Sequence, residues 1–357
     1  MEASIPSLQQ AAIVQDPGHQ FAVVLRNDIP VANPGPNEIL VRLSCTGLCH
    51  SEVRAVLGWG SYDTIIGHEG VGIVVRSGTN VSSSLLGERV GVKWLYSACM
   101  ECSICQRGFP HNCAKQLNTS RNVPGTLQQY VLADARFITR IPEGIADEIA
   151  APLLCAGLTM AGALSHLEHE LKPTDWIVIS GSGGGLGHIG VQLAARVKKL
   201  RVIAVDSGDN KRDLSLASGA EVFIDFQTED VAARVQELTG EGAHATIVVP
   251  GTKEALQMAA LVVRNRGHIV TVGLPRNDIE LPISATVCAA RGLSIRGSSV
   301  GTEEQMTELL QLALKGIIQP SISVFDFSET PRLIQGLAKD EILGRAVVKI
   351  PKDIVES

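Results

Sequence analysis

Four of the eight cysteines in this 357-residue chain fall between positions 99 and 113, spaced C-x2-C-x2-C-x7-C as Cys99, Cys102, Cys105 and Cys113. Gaps of two residues let successive thiolates turn onto one cation from a tight loop, and four soft ligands with no open position describe a structural tetrahedral zinc. An iron–sulfur cluster is the main rival, and buried free thiols are the bland alternative. Eight cysteines make a disulfide framework conceivable. The size of the chain and its opening MEASIPSLQQ, which is acidic and lacks an apolar run, give no expectation of export, so reduced, metal-binding thiols are favoured.

Three further residues of metal-ligating type are dispersed: Cys49 in CTGLCHSE, His68 in GHEG and Cys155 in PLLCAG. Taken singly each has an innocent reading, since a lone cysteine is usually a small core residue and a lone histidine is usually satisfied by a neighbour. A second kind of chemistry is written in SGSGGGLG, Ser180 to Gly187, which follows an apolar strand-like run at 176–180 and opens an amphipathic helical run to about 199. Glycines there permit a tight turn and close backbone approach, and a helix N-terminus offers free amides to a pyrophosphate. The pattern G-x-G-x-x-G fits badly from Gly181, because the sixth residue is Leu186. Asp206 ends the next strand-like run about twenty residues beyond the loop, where a carboxylate binds ribose hydroxyls. A 2′-phosphate about 4 Å from that charge would meet roughly 4 kcal/mol of repulsion at an effective dielectric of 20, so NAD is expected over NADP.

The segments GLCHSE, GHEGVGIVV, GVKWLYSACMECSICQRG and APLLCAGLT stand in the order and near the spacing of the zinc alcohol dehydrogenases of the medium-chain family. Over essentially its whole length the chain resembles the yeast-type fungal members. The resemblance implies that Cys49, His68 and Cys155 ligate a catalytic zinc whose fourth position is left to water or substrate oxygen, a site that polarises an alcohol oxygen. Glu69 matches a glutamate beside that metal that can exchange with the water. Glu52 stands where the family carries an aspartate that orients the ligand histidine. Ser51 matches a hydroxyl that takes the alcohol's proton. His50 and Arg345 match residues at the cofactor phosphates, His50 also counting among the catalytic positions. The yeast-type loop is one residue longer than the standard pattern, and Gly181, Gly184, Gly185, Leu186 and Gly187 match it; Lys211 and Val272 match further cofactor contacts. Two zinc ions and NAD per subunit, and a homo-oligomer, either dimer or tetramer, follow from the same resemblance.

The match has departures. Arg54 stands three residues beyond Ser51, where the family's proton relay often ends in histidine, and arginine does not shuttle protons at neutral pH. The stretch from Gly58 to Gly67 is several residues shorter than its yeast-type counterpart; Gly60 replaces a bulky tryptophan, with Trp59 as the displaced candidate. Trp94 is retained at the other pocket position, and Ser299 replaces a tyrosine. Together they imply a roomier pocket, for a bulky, allylic or aromatic primary alcohol or its aldehyde.

The elements that must position these residues change character along the chain. Up to about residue 150 short strand-like runs such as 21–25, 38–43 and 71–75 alternate with Pro-Gly and Gly-Thr-Asn turns. Beyond about 158, strands alternate with amphipathic helices: 176–180 then 186–199, 202–206 then 211–218, 245–249 then 253–262. Such alternation predicts a parallel sheet covered on both faces. A late helix at 302–315 and a strand at 346–350 fall outside the repeat and are expected to return to the first domain. The fold class expected is therefore α/β: a β-rich GroES-like catalytic domain of residues 1–156 and 299–357, with a doubly wound Rossmann domain of residues 157–298 binding NAD.

A net charge of −6, with 31 Lys and Arg scattered among 37 Asp and Glu, gives no electrostatic support for nucleic-acid or membrane-surface partners. Apolar stretches such as that around 149–158 read as too short and too rich in Gly and Pro to span a bilayer. A cytoplasmic enzyme acting on a small-molecule alcohol or aldehyde is the expectation. A zinc-independent enoyl or quinone reductase of the same architecture, and a zinc- and nucleotide-binding pseudoenzyme, are the competing readings.

Overall fold

The computed structural model describes residues 5–276 and 279–352. These divide into two compact units. One holds the described residues through Cys155 together with Thr302–Leu314 and the chain from Ile322 on; the other holds Ala156–Gly301 and Lys315–Ser321.

The first unit is built on a seven-stranded sheet. Its strands run in the order Ile322–Asp326, Arg345–Lys349, Glu38–Gly47, Gly70–Ser77, Arg89–Val92 and Thr139–Arg140, with Tyr130–Asp134 also paired to Glu38–Gly47. All pairs are antiparallel except Ile322–Asp326 with Arg345–Lys349. Glu38–Gly47 is central and buried over most of its length, and Ile39, Val41, Leu43 and Val74 help form one apolar core. The register sets Thr46 opposite Gly70 and Val348 opposite Thr46, so the ends of three strands converge on one spot. The late helix, Glu303–Leu314, lies in this unit. It is fastened through buried Lys93, whose ammonium donates to Phe137 O at 2.7 Å, Thr139 Oγ1 at 2.9 Å and Glu303 Oε2 at 2.6 Å.

The second unit carries a six-stranded, fully parallel sheet in the order Val222–Asp225, Arg201–Asp206, Trp176–Ser180, Ala243–Val248, Val263–Thr271, Ser294–Gly297. This is the doubly wound order, with the reversal beside Trp176–Ser180, the strand that feeds the glycine-rich loop. Trp176–Ser180 is buried throughout and reads as an unbroken apolar run, as strands covered on both faces do. The helix expected at 186–199 is α-helical over Gly187–Gln192 and then widens to a π turn over Leu193–Val197.

One sequence expectation is corrected. Among the described residues one helix, Asp147–Ser165, is 19 residues long and apolar enough by length and composition to cross a membrane. It continues through Pro152 and Gly157, with a π turn over Leu153–Gly157. Buried over 78% of its most apolar stretch, it is a core helix.

Candidate active site

Where the three strand ends converge, the chain delivers one group of chemistry-bearing side chains. Cys49 follows Glu38–Gly47 and stands at the N-terminus of the short helix His50–Val56; His68 and Glu69 immediately precede Gly70–Ser77; Arg345 begins its strand; and Cys155 sits inside the π turn Leu153–Gly157. One ligand atom from each of Cys49, His68, Glu69 and Cys155 lies within 4.8 Å of the others, and all four residues are buried. Cys49 Sγ and Cys155 Sγ are 3.9 Å apart, and His68 Nε2 is 3.1 Å from Cys155 Sγ. Two thiolates on one tetrahedral ion with bonds of about 2.3 Å would stand about 3.8 Å apart, so the donor set fits a single zinc.

Behind these donors sits a second layer. Glu52 Oε1 faces His68 Nδ1 at 2.8 Å, which leaves Nε2 turned toward Cys155, and Glu52 Oε2 accepts the Cys49 amide at 2.5 Å. Glu69 is gripped by the Arg345 guanidinium, one of whose nitrogens donates to both carboxylate oxygens. Gly47 is required here, because a Cβ at that position would come within 2.0 Å of Glu69 Oε2. The Trp94 ring meets His68 edge-on, centroids 5.1 Å apart at 77°.

The electrostatics of the pocket favour a cation. Cys49 is held well below the ordinary thiol range, first by the hydrogen bond from Cys155, while Cys155 is pushed well above it by the same bond and by burial. Burial disfavours charge on His68, but the Glu52 carboxylate and Cys49 together outweigh it and hold the imidazole well above its usual value. Burial pushes Glu69 up to about 7 against the pull of Arg345. Thiolate, carboxylates and imidazole buried together are what a divalent ion neutralises by displacing protons.

The second cluster is separate. Cys99 and Cys105 sulfurs are 3.9 Å apart, Cys102 and Cys113 3.9 Å, and Cys99 and Cys113 3.5 Å. These distances are far beyond a disulfide bond of about 2.05 Å and fit four thiolates on one tetrahedral ion. Backbone amides are aimed at the sulfurs, Cys102 N–H at Cys99 from 3.4 Å and Lys115 N–H at Cys113 from 3.3 Å. Amides of Glu101 and Cys102 hold the Cys99 thiol down to about 6, whereas desolvation pushes Cys105 up to about 12.

In the second unit the glycine-rich loop turns at Gly181, whose φ is +74°. A Cβ on Gly187 would lie 1.9 Å from Gly181 O, so the loop closes on the helix start only with glycine there. Gly183, left out of the sequence match, is equally constrained: a Cβ would lie 2.4 Å from Lys211 Cβ. The three consecutive glycines were the available signal, but the partner lies on a later helix. Asp206 Oδ2 accepts the Gly183 amide at 2.9 Å, and Oδ1 accepts from Ser207 N–H at 3.0 Å and meets Lys211 Nζ at 3.2 Å. A loop held tight by glycine at 183 and 187, leading into a helix N-terminus beside a fixed carboxylate, fits a dinucleotide.

Gly184, Gly185 and Leu186 lie in this loop, half-buried. Val272 is buried beyond Val263–Thr271, its amide bonded to Val248 O at 3.0 Å. In the first unit His50 is exposed on the first turn of its helix, and Ser51 Oγ is 3.7 Å from Cys49 Sγ. Arg345, expected at cofactor phosphates, is only 3% exposed and is bound to Glu69. Arg54 donates to Trp59 O at 3.3 Å with its guanidinium carbon 6.0 Å from the Trp59 ring centre, and Gly60 is exposed with φ +134°.

Known proteins resemble this chain in sequence and fold. The alcohol dehydrogenase GroES-like domain family matches residues 35–143, and the zinc-binding dehydrogenase family matches residues 185–315. An alcohol dehydrogenase of Schizosaccharomyces pombe is 37% identical over 98% of this chain and 100% of its own, and alcohol dehydrogenase 2 of Emericella nidulans 38% identical over 97% and 98%. This chain belongs to the zinc-binding alcohol dehydrogenases. The solved alcohol dehydrogenase of Aeropyrum pernix superposes with a TM-score of 0.86 at 27% identity, covering 96% of this chain and 100% of that one. The acetophenone reductase of Geotrichum candidum, solved in complex with NAD, gives 0.85 at 25% identity, covering 97% and 98%. As an alcohol dehydrogenase the chain is an oxidoreductase of mixed α/β fold, and the two candidate ligand sets, Cys49/His68/Glu69/Cys155 and the four cysteines, fit a zinc-binding dehydrogenase.

Proposed function

We propose that this alcohol dehydrogenase transfers hydride reversibly between NAD and a primary alcohol/aldehyde pair with a bulky, allylic or aromatic substituent. The observation that carries the reading is the buried set Cys49, His68 and Cys155, with Glu52 fixed on the far nitrogen of the histidine. Zinc held by these three residues supplies a Lewis acid that draws electron density from the alcohol oxygen and lowers its pKa.

The residues of the chain do the rest. Glu52 fixes the imidazole so that Nε2 is the ligating atom. Ser51 would accept the alcohol proton while its own hydroxyl proton passes on toward the cofactor ribose, and the hydride given up by the carbinol carbon would reduce bound NAD, so that alcohol and NAD yield aldehyde, NADH and one released proton. Arg345 holds Glu69 as a negative group near the metal. Asp206 accepts hydroxyls of the adenosine ribose and repels a 2′-phosphate. His50 and the loop Gly181–Gly187 are assigned to the cofactor phosphates, with Lys211 at its ribose and Val272 as a further cofactor contact. Trp94, packed edge-on against His68, walls the pocket, and Gly60, in place of a bulky tryptophan, leaves it wide, with Trp59 the candidate for the displaced ring. Cys99, Cys102, Cys105 and Cys113 hold the second, structural zinc.

A zinc-independent reductase has no use for two metal-ligand sets, and a pseudoenzyme none for Ser51 beside Cys49. Our reading also makes the protein a cytoplasmic homo-oligomer, a dimer or tetramer, testable by light scattering on purified protein. The activity is tested by NADH formation on zinc-replete protein with alcohols from ethanol to benzyl and cinnamyl alcohol. Specificity constants rising with bulk support the reading; a higher constant for ethanol than for benzyl and cinnamyl alcohol refutes the wide pocket, and silence in both directions refutes the activity.

A further inference from the structure

The helix that leaves the glycine-rich loop presents three polar side chains at four-residue spacing, His188, Gln192 and Arg196, to the backbone of Ile317, Gln319 and Ser321 in the same unit. Gln192 clamps both polar groups of Gln319, donating to its O at 2.9 Å and accepting its N–H at 2.7 Å, and Arg196 donates to Ile317 O at 3.2 Å. Four residues raise a helix by about 6 Å, close to the advance of two residues of open chain, so the ladder stays in step.

His188 differs from the other two rungs because it also faces the loop. It is 0% exposed. The Ser321 N–H donates to its Nε2 at 3.0 Å, so that nitrogen is bare and the ring proton belongs to Nδ1. Nδ1 lies 2.8 Å from Gly184 O, which also accepts the His188 amide at 3.2 Å. A carbonyl in the middle of the loop is thereby drawn into the helix by two donors.

We propose that His188 is a positioning residue of the dinucleotide site: by donating from Nδ1 it holds the Gly184 carbonyl inside the helix, so that the loop keeps its amide face open to a pyrophosphate. The Ser321 amide sets the tautomer, which ties the loop to the segment Lys315–Ser321. This inference rests on the NAD reading above.

The test compares ligands with and without a pyrophosphate. Calorimetric titration of zinc-replete protein with ADP-ribose and with adenosine gives two dissociation constants for each variant. His188→Asn can place an amide donor where Nδ1 stands; His188→Gln reaches instead toward Ser321. We expect H188Q to weaken ADP-ribose about tenfold while adenosine changes less than about twofold, and H188N to recover most of the loss. Equal weakening of both ligands, an unchanged ADP-ribose constant in folded H188Q, or no recovery in H188N overturns the role. Should H188Q fail to fold, long-range proton–nitrogen NMR on the unsubstituted protein decides: protonated Nδ1 with bare Nε2 supports the role, and the opposite tautomer overturns it. Unsubstituted protein that binds neither NAD nor ADP-ribose overturns the cofactor reading itself.

Discussion

Glu52 stands 2.8 Å from His68 Nδ1 and closes the other end of its carboxylate on the Cys49 amide, so one side chain fixes two residues of the metal-binding set. The helix His50–Val56 provides this geometry, because its third residue reaches back to its own N-cap while facing the strand start at His68. Glu52→Gln keeps the shape and removes the charge that makes His68 a strong donor. We expect a 10- to 100-fold loss of affinity at the catalytic zinc, on the order seen for such outer partners, with the four-cysteine zinc retained. Metal analysis after graded chelation measures it; stoichiometry and kcat/KM equal to those of the unsubstituted enzyme would contradict it.

The four-cysteine loop is locally built and shares no residue with the catalytic set. Cys113→Ser leaves three thiolates, too few for a closed tetrahedral site. Zinc content should fall from two to one per chain and stability by ~4 kcal/mol or more, which lowers Tm by ~10 °C. Zinc content of two with an unshifted Tm would show that the loop stands without its metal.

How much of this was legible depended on how local each interaction is. The spacing of Cys99, Cys102, Cys105 and Cys113 exposes a metal loop because all four ligands come from one short segment. Trp176–Ser180 and Arg201–Asp206 were legible as strands because burial on both faces leaves an unbroken apolar run. Cys49, His68 and Cys155 carried no such signal by themselves; paired strands bring Cys49 and His68 together and the helical turn Leu153–Gly157 adds Cys155, and only likeness to a family pointed there. Gly183 was passed over because its constraint comes from Lys211. The helix Asp147–Ser165 is longer than the apolar stretch around 149–158 suggested, since it runs on through Pro152 and Gly157 with Cys155 in its π turn, and its burial agrees with a segment that does not span a bilayer.

Ser51 is half-buried next to Cys49. Ser51→Ala deletes the hydroxyl assigned to the alcohol proton and removes no assigned metal ligand. Proton transfer by a positioned group contributes about 10²- to 10⁴-fold, and kcat for alcohol oxidation should fall within that range while zinc content stays at two. Stopped-flow NADH formation with deuterated alcohol separates this step from product release. Turnover within about twofold of the unsubstituted enzyme would remove Ser51 from the mechanism.

In the second unit His166, His244 and His268 all have pKa values lowered first by burial. A histidine whose folded pKa lies below its unfolded value of about 6.5 binds fewer protons in the folded state as the pH falls through that range. Unfolding then takes up protons, so stability is lost as pH drops below about 6.5 and is fully present above it. Asp175, 3.1 Å from His244, and Glu170, 3.7 Å from His268, moderate the effect, whereas Arg264 and Arg296 add to it. The variant H244Q/H268Q should therefore show a flatter fall of Tm between about pH 6.5 and 5 than the unsubstituted protein. Calorimetry with zinc content checked at each pH makes the comparison; parallel curves would assign the acid loss to other groups.

Asp206 gives the sharpest functional prediction, because its carboxylate is fixed by the Gly183 and Ser207 amides before any cofactor arrives. Repulsion of roughly 4 kcal/mol toward a 2′-phosphate corresponds to a preference for NAD over NADP of about a thousandfold in kcat/KM. Lys211, 3.2 Å away, partly screens that charge in the native protein. Asp206→Asn removes the negative charge and leaves the lysine, so the preference should narrow by at least about tenfold, through better use of NADP and a higher KM for NAD. Comparable kcat/KM for the two cofactors in the unsubstituted enzyme, or a ratio that Asp206→Asn does not move, would place cofactor choice elsewhere in the loop.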